Sequence, residues 1–173
     1  MTYPASLDKT AIAITWLVTL LFIGIGGFQT YQVTQLDQYD TRAWVLMGAN
    51  GLLVVIFAIC YLYRTVGYAV DRVGVTIQRP IGNKVIRLEE IRKAFMVDKE
   101  EMGWVFRTFG VGGLFGYFGK FRSRSLGNMT WYATRRDRYL VIVTADDRKM
   151  VTTPDDPKML DEIYRLLKSE AGG

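Results

Sequence analysis

The side chains best equipped for chemistry lie between Met102 and Arg138. This stretch carries seven basic residues (Arg107, Lys120, Arg122, Arg124, Arg135, Arg136 and Arg138) against one acid, Asp137. Seven aromatic rings, from Trp104 to Phe121, are interleaved there with Gly110, Gly112, Gly113, Gly116 and Gly119. The formal net charge of the whole chain is +5, so the basic character is concentrated in this segment. Three chemistries suit such a composition. At a membrane interface, aromatic rings favour the headgroup layer, and each Lys or Arg near an anionic surface contributes about 1 kcal/mol. On that reading the contact residues are Trp104, Arg107, Phe115, Tyr117, Phe118, Lys120, Phe121, Arg122, Arg124, Arg135 and Arg136. In a folded core, the same aromatics fill space and the glycines turn the chain. The third chemistry is phosphate or nucleotide binding, and the spacing argues against it. Phe115 stands where a dinucleotide fingerprint needs its third glycine, and Gly119-Lys120 is followed by Phe121 where a phosphate loop needs Ser or Thr. Aromatic and basic interleaving also suits nucleic acid. A bilayer neighbour explains it more simply, and no nucleic-acid partner is expected.

Other sites are restricted by what the chain lacks. It has no His and one cysteine, Cys60. Triads that use imidazole as the base are therefore excluded, no internal disulfide can form, and a zinc site would need carboxylates alone. Asp155 and Asp156 precede Pro157 and an amphipathic run, where helix capping is the simpler role. Asp98, Glu100, Glu101, Asp146 and Asp147 read as solvated turns. No metal and no cofactor is expected.

Two uncharged runs must position this segment. Ala11–Phe28 has eighteen residues and Ala43–Tyr63 twenty-one. As helices they would be roughly 27 and 32 Å long, close to the roughly 30 Å hydrocarbon core of a bilayer. Neither has a polar face. The polar link between them is short, which predicts an antiparallel transmembrane hairpin over residues 1–64. Gly24, Gly26 and Gly27, with Gly48 and Gly51, would permit close approach of helices, and Asn50 would either face a protein partner or carry a modest local cost with no role. Arg64, Arg72, Arg79 and Lys84 follow the second run, whereas the link offers only Arg42. The excess of basic residues after the second run places both termini and the following domain in the cytoplasm.

From residue 65 onward the period changes to two. Strands are predicted at Tyr68–Asp71, Val75–Arg79, Lys84–Leu88, Ile91–Val97, Met129–Thr134, Tyr139–Thr144 and Lys149–Thr153. Short turns between them suggest an antiparallel meander curling into a barrel or sandwich. A helix over about residues 156–169 closes the chain, with Leu160, Ile163 and Leu167 on one face.

Several of these features together resemble the bacterial pleckstrin-homology (PH)-like domains of small membrane proteins. They are the Tyr68–Arg79 hairpin, the Gly-rich run Phe109–Phe121, Leu126-Gly127 leading into Trp131-Tyr132-Ala133-Thr134, and Thr153-Pro154-Asp155-Asp156-Pro157 before the last helix. The resemblance implies a PH-like barrel of about seven antiparallel strands with a C-terminal helix. It implies little about a ligand. The expected function is a membrane-anchored, non-catalytic interaction module at the inner face of a bacterial membrane. It would bind a protein partner, itself as a homo-oligomer, or anionic lipid of the bilayer. Two alternatives stand beside it: an accessory subunit of a larger membrane complex, and an enzyme acting on a lipid phosphate.

Overall fold

The structure is a computed structural model that describes residues 1–36 and 40–171. Two long helices dominate its first third. Helix α1 spans Lys9–Thr34 and α2 spans Thr41–Leu62. Each begins at an aspartate whose carboxylate accepts a backbone N–H of the first turn: Asp8 from Ala11, Asp40 from Arg42. Helix α1 runs beyond its uncharged stretch because Gln, Thr and Tyr continue it after Phe28, whereas α2 starts at Thr41 and ends at Leu62, one residue short of the end of its own. Almost none of either apolar surface is covered by the rest of the chain. Trp16, Leu17, Leu20, Ile23 and Phe28 of α1 and Val45, Leu52, Val54 and Val55 of α2 are all exposed.

The remainder is a β-rich domain with a C-terminal helix, as expected. A four-stranded sheet takes the order β1-β2-β3-β4, with β1 at Thr2–Pro4, β2 at Gly67–Val70, β3 at Gly74–Gln78 and β4 at Lys84–Arg87. Six further strands follow: β5 (Ile91–Asp98), β6 (Val105–Gly113), β7 (Gly116–Ser123), β8 (Gly127–Ala133), β9 (Arg138–Thr144) and β10 (Lys149–Thr152). A short helix α3 (Lys99–Met102) separates β5 from β6, and α4 (Lys158–Ala171) ends the described chain. The second sheet has the order β5-β9-β10-β8-β7-β6.

Three details differ from the sequence expectation. The two sheets stay separate and do not close into a barrel. The described residues form ten strands, because β1, β6 and β7 join the seven expected. The meander is not wholly antiparallel: β10 runs parallel to β8, with Val151 beside Trp131.

Strand β9 shows how the core is divided. Leu140 and Ile142 enter a cluster shared with the four-stranded sheet and with Met159 and Ile163 of α4. Val141 and Val143, on the opposite face, enter a second cluster with Tyr117, Phe121, Met129 and Trp131. Alternation alone separates these sets. The second cluster also takes Val97 from β5 and has Val105 of β6 packed against it. These strands lie at opposite margins of one sheet, so the sheet must curl to bring them together.

Strand β1 makes an unexpected pairing. Tyr3 lies opposite Tyr68 in an antiparallel register. The chain thus leaves the sheet through α1 and re-enters it after α2. Asp155 ties the intervening segment down, accepting from the Ser6 N–H at 3.1 Å and from Arg135 Nη1 at 2.7 Å. Asp156, not Asp155, serves the α4 terminus, accepting from the Lys158 N–H.

Candidate functional site

The segment Met102–Arg138 is built mainly from a long β6–β7 hairpin and β8. Gly110 and Gly119 face each other across the hairpin, both with positive φ (111° and 125°). A Cβ on either would collide with the backbone of the opposing strand, at Phe118 and Phe109 respectively. This close crossing needs glycine at both positions.

Alternation along β7 sorts its side chains. Tyr117, Phe121 and Ser123 are buried on the concave face, while Lys120 and Arg122 are exposed and Phe118 is half-buried on the other. The partners on β6 extend this outer face: Val111 lies opposite Phe118, Phe109 opposite Lys120, and Phe106 opposite Arg122. Phe109 is 77% exposed and Phe106 58%. Trp104, just before the strand, is 79% exposed and stacks on Phe106 with 6.2 Å between ring centroids. The aromatics of this segment therefore divide between core and surface, residue by residue.

The tip of the hairpin meets the helix pair. Gly113 abuts Ile14 of α1 so closely that a Cβ there would overlap it. The Thr15 hydroxyl donates to the Gly113 carbonyl at 3.3 Å and accepts the Phe115 N–H at 2.9 Å. The Phe115 ring, at the tip, packs edge-on against Phe57 (5.1 Å) and Tyr61 (5.5 Å) of α2. One turn of the β-domain is thus seated on both helices.

Asp8 ties the base of α1 to the same strands. Besides capping Ala11, it accepts from the Tyr117 hydroxyl at 3.2 Å and from the Arg136 N–H at 3.1 Å. The Arg136 guanidinium lies 4.4 Å from the Tyr117 ring centroid. An Asp directly before an apolar run is a helix-start signal, and it could have identified Asp8. Nothing in the local sequence marks Ser6, Thr15 or Phe57, whose partners are distant in the chain.

The expected contact residues now have places. Phe115, Tyr117 and Phe121 are buried and unavailable as surface contacts. Arg135 is committed to ion pairs with Asp137 (2.8 Å) and Asp155 (2.7 Å). Arg107 packs over Gly112, and Lys120 donates to the Thr130 hydroxyl at 3.0 Å. Arg122 and Arg124 are exposed, with no carboxylate partner among the described residues. In the helices, Asn50 Oδ1 lies 3.3 Å from where a Cβ on Gly26 would be. Gly24, Gly27, Gly48 and Gly51 have open space at the same position, so they do not form the contact between α1 and α2.

A family model for the bacterial PH domain matches residues 66–167. The chain belongs to the bacterial PH domain family. Comparison with curated proteins and with solved structures gives no match. PH domains are generally non-catalytic interaction modules.

Three tyrosines of this bacterial PH domain resist ionisation. Burial raises Tyr68, Tyr117 and Tyr139 from 10.0 to about 12; the nearby Asp8 carboxylate adds to the effect at Tyr117. The unfolded chain loses these protons near pH 10 and the folded chain only near 12. Between those values the folded state holds more protons, so stability falls as pH rises. Melts of the full chain in detergent should show this loss above about pH 10. Tyr139→Phe should flatten the alkaline limb, because the Tyr139 hydroxyl has no hydrogen-bond partner among the described residues to lose. An unchanged limb in that variant would refute the assignment.

Proposed function

We propose that this protein is a membrane-anchored, non-catalytic PH module. Its helix pair crosses the bilayer of a bacterial inner membrane, and its domain rests on the cytoplasmic face. One observation carries the reading: β1 and β2, on either side of two apolar and uncovered helices, pair in one sheet through Tyr3 and Tyr68. Both domain-side helix ends must then lie on the same side of any membrane that the pair crosses.

Depth arguments add a contact surface. Gly113 touches Ile14, which is five residues, or about 7.5 Å, inside the start of α1. Phe109 is four residues back along β6, at most about 13 Å. It therefore rises no more than about 6 Å above the level of Lys9, within a headgroup layer that is roughly 5–8 Å deep on each side. Exposed Phe109, with Lys120 opposite and Arg122 beyond, is the part of the basic segment best placed to touch anionic lipid. Lys9, Arg64 and Arg79 add cations near the helix ends, none with a carboxylate partner among the described residues.

Two measurements on the full chain test this. Alkaline carbonate should leave the protein in the membrane pellet. In a Cys60→Ser background, Gln35→Cys should react with an impermeant thiol reagent on intact cells. Lys84→Cys should react only after permeabilisation. Release by carbonate would remove the anchor, and the reversed labelling pattern would remove the cytoplasmic placement.

A second reading has one observation in its favour. Gly24, Gly27, Gly48 and Gly51 face away from the α1–α2 contact, where small residues would let helices of another subunit approach.

A further inference from the structure

A groove of about 500 Å³ runs between α1 and α2, lined by Phe22, Gly26, Asn50, Val54, Phe57 and Tyr61 among others. We propose that it holds one anionic phospholipid of the domain-side leaflet, with an acyl chain along the groove and the phosphate at Arg64. The proposal rests on the membrane-spanning reading above.

The length of the groove indicates a single leaflet. Its lining on α2 extends from Asn50 to Leu62, twelve residues or about 18 Å of helix. Half of a hydrocarbon core is about 15 Å. The lining residues farthest from the domain are Gly26 and Asn50, where the two helices come close. The groove therefore starts at the domain end of α2 and runs about 18 Å to the Gly26–Asn50 contact. That is the reach of one acyl chain from the adjacent leaflet, and about half the reach of a spanning helix.

Its walls are held from behind. Phe57 is packed between Phe22 of α1 (5.8 Å) and Phe115 of the hairpin tip (5.1 Å). The domain thus fixes the shape of a slot in the helix pair.

Charge at the mouth identifies the occupant. The Arg64 guanidinium lies 4.0 Å from the Tyr61 ring centroid, and its Nη2 reaches the Tyr61 hydroxyl at 3.4 Å. It forms no ion pair among the described residues, and neither does Lys9 at the start of α1. A phosphodiester at that level supplies the missing anion and accepts two or more guanidinium hydrogen bonds. A second copy of the chain seated in the groove in parallel would bring its own Arg64 into the same layer, adding like charge.

Native mass spectrometry of the delipidated full-length protein in detergent provides the test, with phosphatidylglycerol as the probe and phosphatidylcholine of the same chain length as comparison. One phosphatidylglycerol should bind saturably and more tightly than phosphatidylcholine. Arg64→Gln should weaken it about fivefold, the factor expected for one cation at an anionic surface. Ala58→Trp, which fills the slot from a lipid-facing position, should abolish it. Glycerol phosphate without chains should not compete. Equal binding by wild type, Arg64→Gln and Ala58→Trp would reduce the lipid to non-specific annular contact and overturn the proposal. Competition by glycerol phosphate would overturn the acyl-chain assignment. A dimer that Ala58→Trp disrupts would make a second copy the occupant and overturn it as well. Loss of lipid binding in a protein that still resists carbonate would sink this site alone. Release by carbonate would sink the anchor beneath it.

Discussion

Trp131→Ala is expected to lower stability by about 3–5 kcal/mol, the range for deleting a large buried aromatic. A typical domain has about 5–15 kcal/mol in total, so this variant should be largely unfolded at growth temperature or lost to proteolysis. Trp131 is 0% exposed at the centre of the second core cluster. Its ring stacks on Phe121 with centroids 4.6 Å apart, and Tyr139 packs against it at 5.2 Å. The indole N–H, however, has no partner among the described residues. A buried unsatisfied donor costs about 1–3 kcal/mol, so Trp131→Phe should recover most of the stability that alanine loses. Thermal melts of both variants in detergent would decide it. If phenylalanine proves as costly as alanine, the ring packing described here does not control the fold.

The second large effect is expected at Asp8. Alanine there removes a helix cap, which costs about 0.5–2 kcal/mol. It also strands the buried Tyr117 hydroxyl and frees the Arg136 N–H. An unpaired buried donor adds about 1–3 kcal/mol. The combined loss should reach about 2–4 kcal/mol, and it should be localised. Hydrogen exchange should rise first in β7, at the start of α1 and around Arg136, before the sheet shared by β2 and β3 opens. Asp8→Asn keeps an oxygen acceptor and should be intermediate. Uniform exchange changes across the whole domain, or none, would show that Asp8 is not the tie between helix and sheet.

The parts legible from sequence were those governed by local periodicity. Eighteen and twenty-one uncharged residues marked the helices, and alternation marked seven strands. Period-two patterning failed in the Phe109–Phe121 run because glycine occupies the positions where alternation would show. Gly110 and Gly119 sit in the hairpin because the backbones cross closely there, a requirement that becomes visible only once the two strands are paired. Strand β1 was missed for another reason. Three residues carry no period, and the partner of Tyr3 lies 65 positions away. The basic segment was identified by composition, but composition could not separate Tyr117 and Phe121, which fill the core, from Phe109 and Lys120, which face outward. Nor could it foresee that Arg135 would be held by Asp137 and Asp155. Those distinctions depend on register and on long-range ion pairs.

The β1–β2 pairing also has a consequence in time. During synthesis, Thr2–Pro4 leaves the ribosome well before Gly67–Val70, and both apolar helices lie between them. At roughly 5–20 residues per second, β1 waits several seconds for its partner strand. A helix pair that crosses only once would leave the two strands on opposite faces of the bilayer, with the sheet edge at β2 open. On the membrane-spanning reading proposed above, completion of the sheet is therefore a check on insertion: only a chain that has crossed and returned can finish folding, and one that has not keeps an unpaired edge at β2.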